Sequence, residues 1–183
     1  MGAEVCRIAA GDAFLYSLSG MSVPTDTELA RLARRVARRL LASAEFVASA
    51  ESCTGGFIGK VLTDIAGSSA WFEGGVVCYS AAAKRWQLGV PAATLRRYGS
   101  VSKQTARAMV LGILRRTRAH RAVAVTGIAG PAGAVPGKPV GTVWFGFAVR
   151  AGRARVIHKR FRGNRDAVRR QAVAFALRQL ARR

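Results

Sequence analysis

From Thr25 the chain reads T-D-T-E, which spaces Thr25 and Glu28 as a capping box ahead of an apolar run of helical period. Leu29, Leu32, Val36 and Leu40 share one face, while Arg31, Arg34, Arg35, Arg38 and Arg39 take the other. That pattern predicts an amphipathic helix packed through its leucine stripe. Glu45–Ser49 is a short run of strand length that stops at A-E-S-C-T-G-G, and helical periodicity resumes over Phe57–Ile65. Strand, glycine-containing turn and helix form a layout that presents groups at a sheet edge.

Gly74–Tyr79 predicts another strand and Ala81–Leu88 a short helix. Ser102 caps a longer helix with Ala106, Met109, Val110 and Ile113 inward. Ala122–Val125 reads as a buried strand closed by T-G-I-A-G-P, and the Gly- and Pro-rich stretch to Pro139 as a loop. Gly141–Val149 is the clearest strand, with Arg153–Phe161 its antiparallel partner across an Ala151-Gly152 turn. Asn164 caps a final helix that turns Val168, Ala172, Phe175 and Leu180 inward. Helices alternating with buried strands predict an α/β fold, a layered single domain with a mixed β-sheet flanked by helices. That domain is expected over residues 21–183, with residues 1–20 a disordered N-terminal extension and Met21 an alternative start.

The charge balance adds a partner question to this picture. Thirty Lys and Arg against nine Asp and Glu give a net +21, and eighteen basic residues lie between Gly74 and Arg165 without one acid. Such a field attracts phosphorylated metabolites and nucleic acid. The arginines are spread along the chain, with no aromatic interleaving and no nucleic-acid module signature, so nucleic-acid binding is expected to be non-specific at most. Cys6, Cys53 and Cys78 form neither a disulfide framework nor a zinc set, which suits a reducing cytoplasm. No apolar run has the ~18 residues that a membrane span needs.

Candidate chemistry is narrowed by what is scarce. Only His120 and His158 are present, and Asp166 is the only acid after Glu73, so a Ser-His-Asp triad or a carboxylate-rich metal site is badly supplied. Both histidines are read as structural or exposed. A lysine base is the remaining choice, because a neutral Lys activates a Ser hydroxyl when its pKa is depressed from ~10.4 towards neutrality. Lys84 lies on the short helix after a Cys-Tyr-Ser strand end, and Ser52 lies at a strand-to-helix turn. The N–H groups around Thr54, Gly55 and Gly56 suit an oxyanion or a phosphate. Spacing alone leaves open the alternative that Ser52 or Thr54 is a helix cap and Lys84 a solvated side chain.

Seven motifs carry a resemblance. They are A-E-S-C-T-G-G at 50–56, D-I-A-G-S-S-A-W-F at 64–72, C-Y-S-A-A-A-K at 78–84, G-S-V-S at 99–102, T-G-I-A-G-P at 126–131, K-P-V-G-T-V-W at 138–144 and G-N-R-D-A-V-R at 163–169. In this order they resemble the CinA C-terminal domain family from about Thr25 to the C-terminus. Larger family proteins add a nucleotide-pyrophosphatase domain, for which 183 residues leave no room.

The resemblance implies the activity of the stand-alone family members, deamidation of nicotinamide mononucleotide to nicotinate mononucleotide and ammonia, without metal or other cofactor. It implies Ser52 as nucleophile, Lys84 as general base, and Tyr79 and Thr126 beside them. Thr54, Gly55 and Gly56 are expected at the oxyanion. The loop through Gly127, Ala129 and Gly130, together with Arg165, is expected at the substrate phosphate. A cytoplasmic homo-oligomer is the expected context. Two departures stand out: Ala81 replaces an asparagine common in the family, and Ala132 replaces a polar residue after the loop proline. They keep two alternatives in play, a catalytically degenerate member acting as a basic nucleic-acid-binding or competence-associated protein, and an amidase acting on another small amide.

Overall fold

Residues 22–182 are described by a computed structural model. Helix α1, Asp26–Ala42, starts at the expected capping box: the Thr25 hydroxyl accepts from the Glu28 N–H, and the Glu28 carboxylate accepts from the Thr25 N–H at 2.8 Å. Leu29, Leu32, Val36 and Leu40 are all buried. Strand β1, Val47–Glu51, leads into α2, Phe57–Thr63. Strand β2 is Phe72–Val77, followed by α3, Ala81–Leu88, and α4, Ala92–Tyr98. Helix α5, Lys103–Arg116, precedes β3, Arg121–Gly127, β4, Thr142–Val149, and β5, Arg155–Arg160. The described fold ends with α6, Arg165–Leu180, capped by Asn164.

The five strands lie in the order β2-β1-β3-β4-β5. β1 pairs in parallel with β2 and β3, and β4 runs antiparallel to β3 and β5, so the sheet is mixed as expected. Alternation along the central strands builds two different faces. Val47, Val123, Val125, Val143 and Phe145 join the core made with α1, α2 and α6. Ala48, Ala50, Ala122, Ala124 and Ala148 face α5 and its neighbours. Small side chains let α5 lie close to the sheet, and Gly146 is the tightest point: a Cβ there would sit 2.5 Å from the Ala106 carbonyl oxygen.

The expected strand boundaries shift. β1 is two residues later than Glu45–Ser49 because its last residue, Glu51, finds partners for its buried carboxylate and can therefore stay in the sheet. β2 begins at Phe72, earlier than Gly74, with a register irregularity opposite Val47 and Ala48. Helix α4 had no counterpart in the sequence expectation. It is a seven-residue element with no buried side chain, and so it writes no apolar stripe. The expected extension over residues 1–20 lies outside the described residues. No helix among the described residues is long and apolar enough to cross a membrane.

Candidate active site

β1 lies between β2 and β3, so the connections from its parallel neighbours diverge at its C-terminal end. In open α/β sheets such a divergence leaves a crevice suited to a ligand. Ser52 follows directly, its N–H donating to the Val125 carbonyl on β3 at 3.0 Å and its carbonyl accepting from the Gly55 N–H. Gly55 and Gly56 both have positive φ, 59° and 89°, which turns the chain sharply from β1 into α2. Ser52 is buried, with 7% of its surface exposed.

Lys84 reaches this serine from α3. Its Nζ is 2.9 Å from Ser52 Oγ, 2.9 Å from the Cys78 carbonyl and 2.8 Å from the Tyr79 carbonyl. Both carbonyls belong to the segment between β2 and α3, and Cys78 is tied to β1 through its N–H on the Glu51 carbonyl. Lys84 is fully buried, and burial pushes its pKa below the ordinary lysine value. The three acceptors satisfy the ammonium form. In the neutral form, the two carbonyls take two N–H bonds and the lone pair faces the Ser52 hydroxyl. Either protonation state is thus accommodated without moving a heavy atom.

Glu51 is the residue that sequence reasoning missed. Its carboxylate is 2% exposed and accepts from the N–H groups of Ile58, at 3.0 Å, and Gly59, at 2.8 Å. It therefore occupies the first turn of α2, which limits the donors left for substrate. Gly55 N–H is already bonded to Ser52 O, while those of Thr54 and Gly56 make no hydrogen bond within the described residues. The signal was present: Glu51 is the lone acid in an otherwise apolar and small-residue run ending at a helix start. Arg169 was also missed, although it closes the G-N-R-D-A-V-R motif. It donates to the Thr54 carbonyl at 2.8 Å and sits over the Phe57 ring, bracing the turn from α6.

The remaining expected residues divide into two groups. Tyr79 is 60% exposed at the mouth, and its hydroxyl accepts from Arg165, which also donates to the Gly130 carbonyl at 2.8 Å. Arg165 thereby joins the Tyr79 segment to the loop after β3. Thr126 is buried, and its hydroxyl donates to the Ser100 carbonyl at 2.8 Å, with no hydrogen bond to Ser52 or Lys84. Gly127 is set by packing, since a Cβ there would meet the Thr142 carbonyl oxygen at 2.7 Å. Ala129 and Gly130 are buried, and the Gly130-Pro131 peptide is cis. Cys53 and Cys78 are buried thiols whose pKa values burial pushes up to about 12 and about 11, so neither competes as a nucleophile. His120 accepts from the Phe46 N–H, and His158 stacks on Trp144; both serve structure.

Among the described residues no cluster of three or more His, Cys, Asp or Glu could hold a metal ion. The departure at Ala81 has a local answer: Ser80 caps α3, its hydroxyl accepting from the Ala83 N–H at 3.0 Å. Ala132 is exposed in the loop after the cis peptide.

Similarity to known proteins extends over most of the chain. The nicotinamide-nucleotide amidohydrolase PncC of Escherichia coli K12 is 51% identical over 156 residues, covering 85% of this chain and 94% of that protein. The PncC protein of Pseudomonas putida is 47% identical over 146 residues, covering 80% and 91%. The crystal structure of the competence/damage inducible protein CihA from Agrobacterium tumefaciens superposes with a TM-score of 0.82 at 45% identity, covering 86% of this chain and 94% of that one. Residues 29–183 match the CinA C-terminal domain, and the chain belongs to that family.

Proposed function

We propose that the protein is a hydrolase of the nicotinamide-nucleotide amidase type, converting nicotinamide mononucleotide to nicotinate mononucleotide and ammonia through Ser52 and Lys84. The carrying observation is the 2.9 Å approach of Lys84 Nζ to Ser52 Oγ in a site where burial favours the neutral amine. The names of the PncC relatives supply the substrate class.

In this reading Ser52 Oγ attacks the carboxamide carbon as its proton passes to Lys84. The carbonyl oxygen becomes an oxyanion facing the unbonded N–H groups of Thr54 and Gly56. The C–N bond then breaks, and Lys84 returns the proton to the departing ammonia. Water attacks the resulting ester, with Lys84 again the base, and the nicotinate product leaves Ser52 regenerated. Arg165, at the mouth beside Tyr79 and the Gly130 loop, is the proposed phosphate partner. Two buried free thiols suit a reducing cytoplasm. Because Ser80 caps the lysine's helix, Ala81 does not dismantle the base, and this favours an active enzyme over a degenerate one.

The test is ammonia release from nicotinamide mononucleotide by the purified chain beside Ser52→Ala. Release that vanishes in the variant, with an unchanged melting temperature, is the expected result. Equal turnover by both proteins rules out Ser52 as the nucleophile, and no release by folded wild type rules out this substrate.

A further inference from the structure

The end of the sheet away from Ser52 carries a concavity. It has a volume of about 270 Å³ and lies where the start of β3, the end of β4, the start of β5 and the C-terminus of α6 meet. Arg121, Arg153, Arg155 and Arg182 all line it, together with Gln179 and Phe147. β3 has seven residues, so this site lies about 20 Å from the Ser52 turn at ~3.3 Å per residue.

The way these guanidinium groups are held is unusual for a solvated basic face. Arg155 and Arg182 both donate to one neutral oxygen, Gln179 Oε1, at 2.7 and 3.4 Å. Two like charges are thus drawn together with no carboxylate between them. Arg121 is held by Glu45, the one carboxylate bonded to any of the four. Arg153 has no hydrogen bond or ion pair within the described residues. Arg155 also lies 5.9 Å from the Phe147 ring centre, which fixes its plane against an apolar wall. A single cation at the C-terminus of α6 answers the helix dipole, but four around one concavity with one acid leave, among the described residues, a surplus of three positive charges.

We propose that this pocket binds a compact, multiply charged phosphate anion, of the pyrophosphate class. Arginine forks match phosphate oxygens in bidentate fashion, and a pocket just under the ~300 Å³ typical of small-molecule sites holds a diphosphate group better than a whole nucleotide. The anion replaces Gln179 as the group shared by Arg155 and Arg182, and Arg153 closes on it from the turn between β4 and β5. This site is separate from the amidase chemistry and stands or falls independently of it.

The experiment is calorimetric titration of the full chain with inorganic pyrophosphate at about 150 mM salt, where bare surface charge is screened beyond ~8 Å. One-to-one binding is expected. The pair Arg153→Ala/Arg155→Ala is expected to weaken it at least ~10-fold, one charge-assisted contact being worth about that factor. A control of equal charge loss on exposed helix positions, Arg96→Ala/Arg107→Ala, is expected to leave it within about twofold. Arg153→Ala alone removes a side chain without partners, so its weakening cannot come from misfolding. Equal weakening by both pairs, loss of binding in Arg165→Ala instead, or no binding at this salt overturns the proposal. A short DNA duplex that binds more tightly than pyrophosphate through the same arginines overturns it in favour of nucleic acid. Orthophosphate binding as tightly as pyrophosphate overturns the diphosphate class.

Discussion

The role of base proposed for Lys84 rests on where its amine is placed, 2.9 Å from Ser52 Oγ, and the same placement sets its pH behaviour. Only the neutral amine accepts the Ser52 proton, so kcat/KM for amide hydrolysis rises with pH as Lys84 loses its proton. Burial lowers the folded pKa, so the rise should level off at a lower pH than the ~10.4 of an unburied lysine. A rate profile still climbing steeply through pH 10 would contradict that. Lys84→Arg should lose at least ~10²-fold in rate with the fold retained, because guanidinium does not deprotonate in the working range. The two site residues were legible as candidates in the sequence, but their pairing was not. Thirty-two positions separate Ser52 from Lys84, and only the parallel pairing of β1 with β2 brings them together. Thr126 directly follows Val125, whose carbonyl accepts from the Ser52 N–H, and its hydroxyl donates to the Ser100 carbonyl, a partner its motif did not reveal.

Among the elements, α2 illustrates how much a short helix depends on groups outside it. With seven residues and a glycine at its N-cap, it has no side-chain cap of its own, and Glu51 supplies the missing acceptors. Removing that carboxylate leaves the buried Ile58 N–H unsatisfied, at about 1–3 kcal/mol, and the half-buried Gly59 N–H at about 1 kcal/mol. Glu51→Ala should therefore lower the unfolding free energy by about 2–4 kcal/mol in urea denaturation. A loss under ~0.5 kcal/mol would show that water replaces the cap. The long helices were readable because α1, α5 and α6 carry both a capping residue and a buried stripe. Helix α4 carries neither, since its N-cap is Pro91 and none of its residues is buried. The close approach of α5 to the sheet was also hidden, because a glycine in a strand reads only as the absence of a side chain. Gly146→Val should cost about 1–3 kcal/mol through collision with Ala106 and Val110.

At the scale of the whole molecule, the carboxylates of the described residues are already engaged internally. Asp26 and Asp166 hold Arg170, Glu45 holds Arg121, Asp64 holds Lys60, and Glu28 and Glu51 cap helices. Little negative charge remains to offset the net +21, so the folded chain repels itself. Raising sodium chloride from about 50 to 300 mM should therefore raise the melting temperature, as the screening length shortens. A fall over that range would mean that ion pairs contribute more than self-repulsion. Composition alone made the excess charge plain. It could not show that some of the basic residues gather at the two ends of the sheet, Arg165 on the Gly130 loop and Arg169 on the serine turn at one, and four arginines around one hollow at the other.

The loop that follows β3 has a practical consequence for protein engineering. Its stem is pinched shut by two hydrogen bonds, Ile128 N–H to Thr142 O and Gly141 N–H to Ile128 O, each 2.8 Å, while residues 131–137 are exposed beyond it. Once a loop's ends are fixed by its stem, doubling its length costs only about 0.6 kcal/mol. The segment from Cys78 to Lys84 has no such slack, because its own carbonyls hold the amine and one added residue would unseat it. A peptide tag or small reporter domain inserted near Gly133 should thus leave ammonia release intact, whereas a single alanine inserted between Ser80 and Lys84 should abolish it.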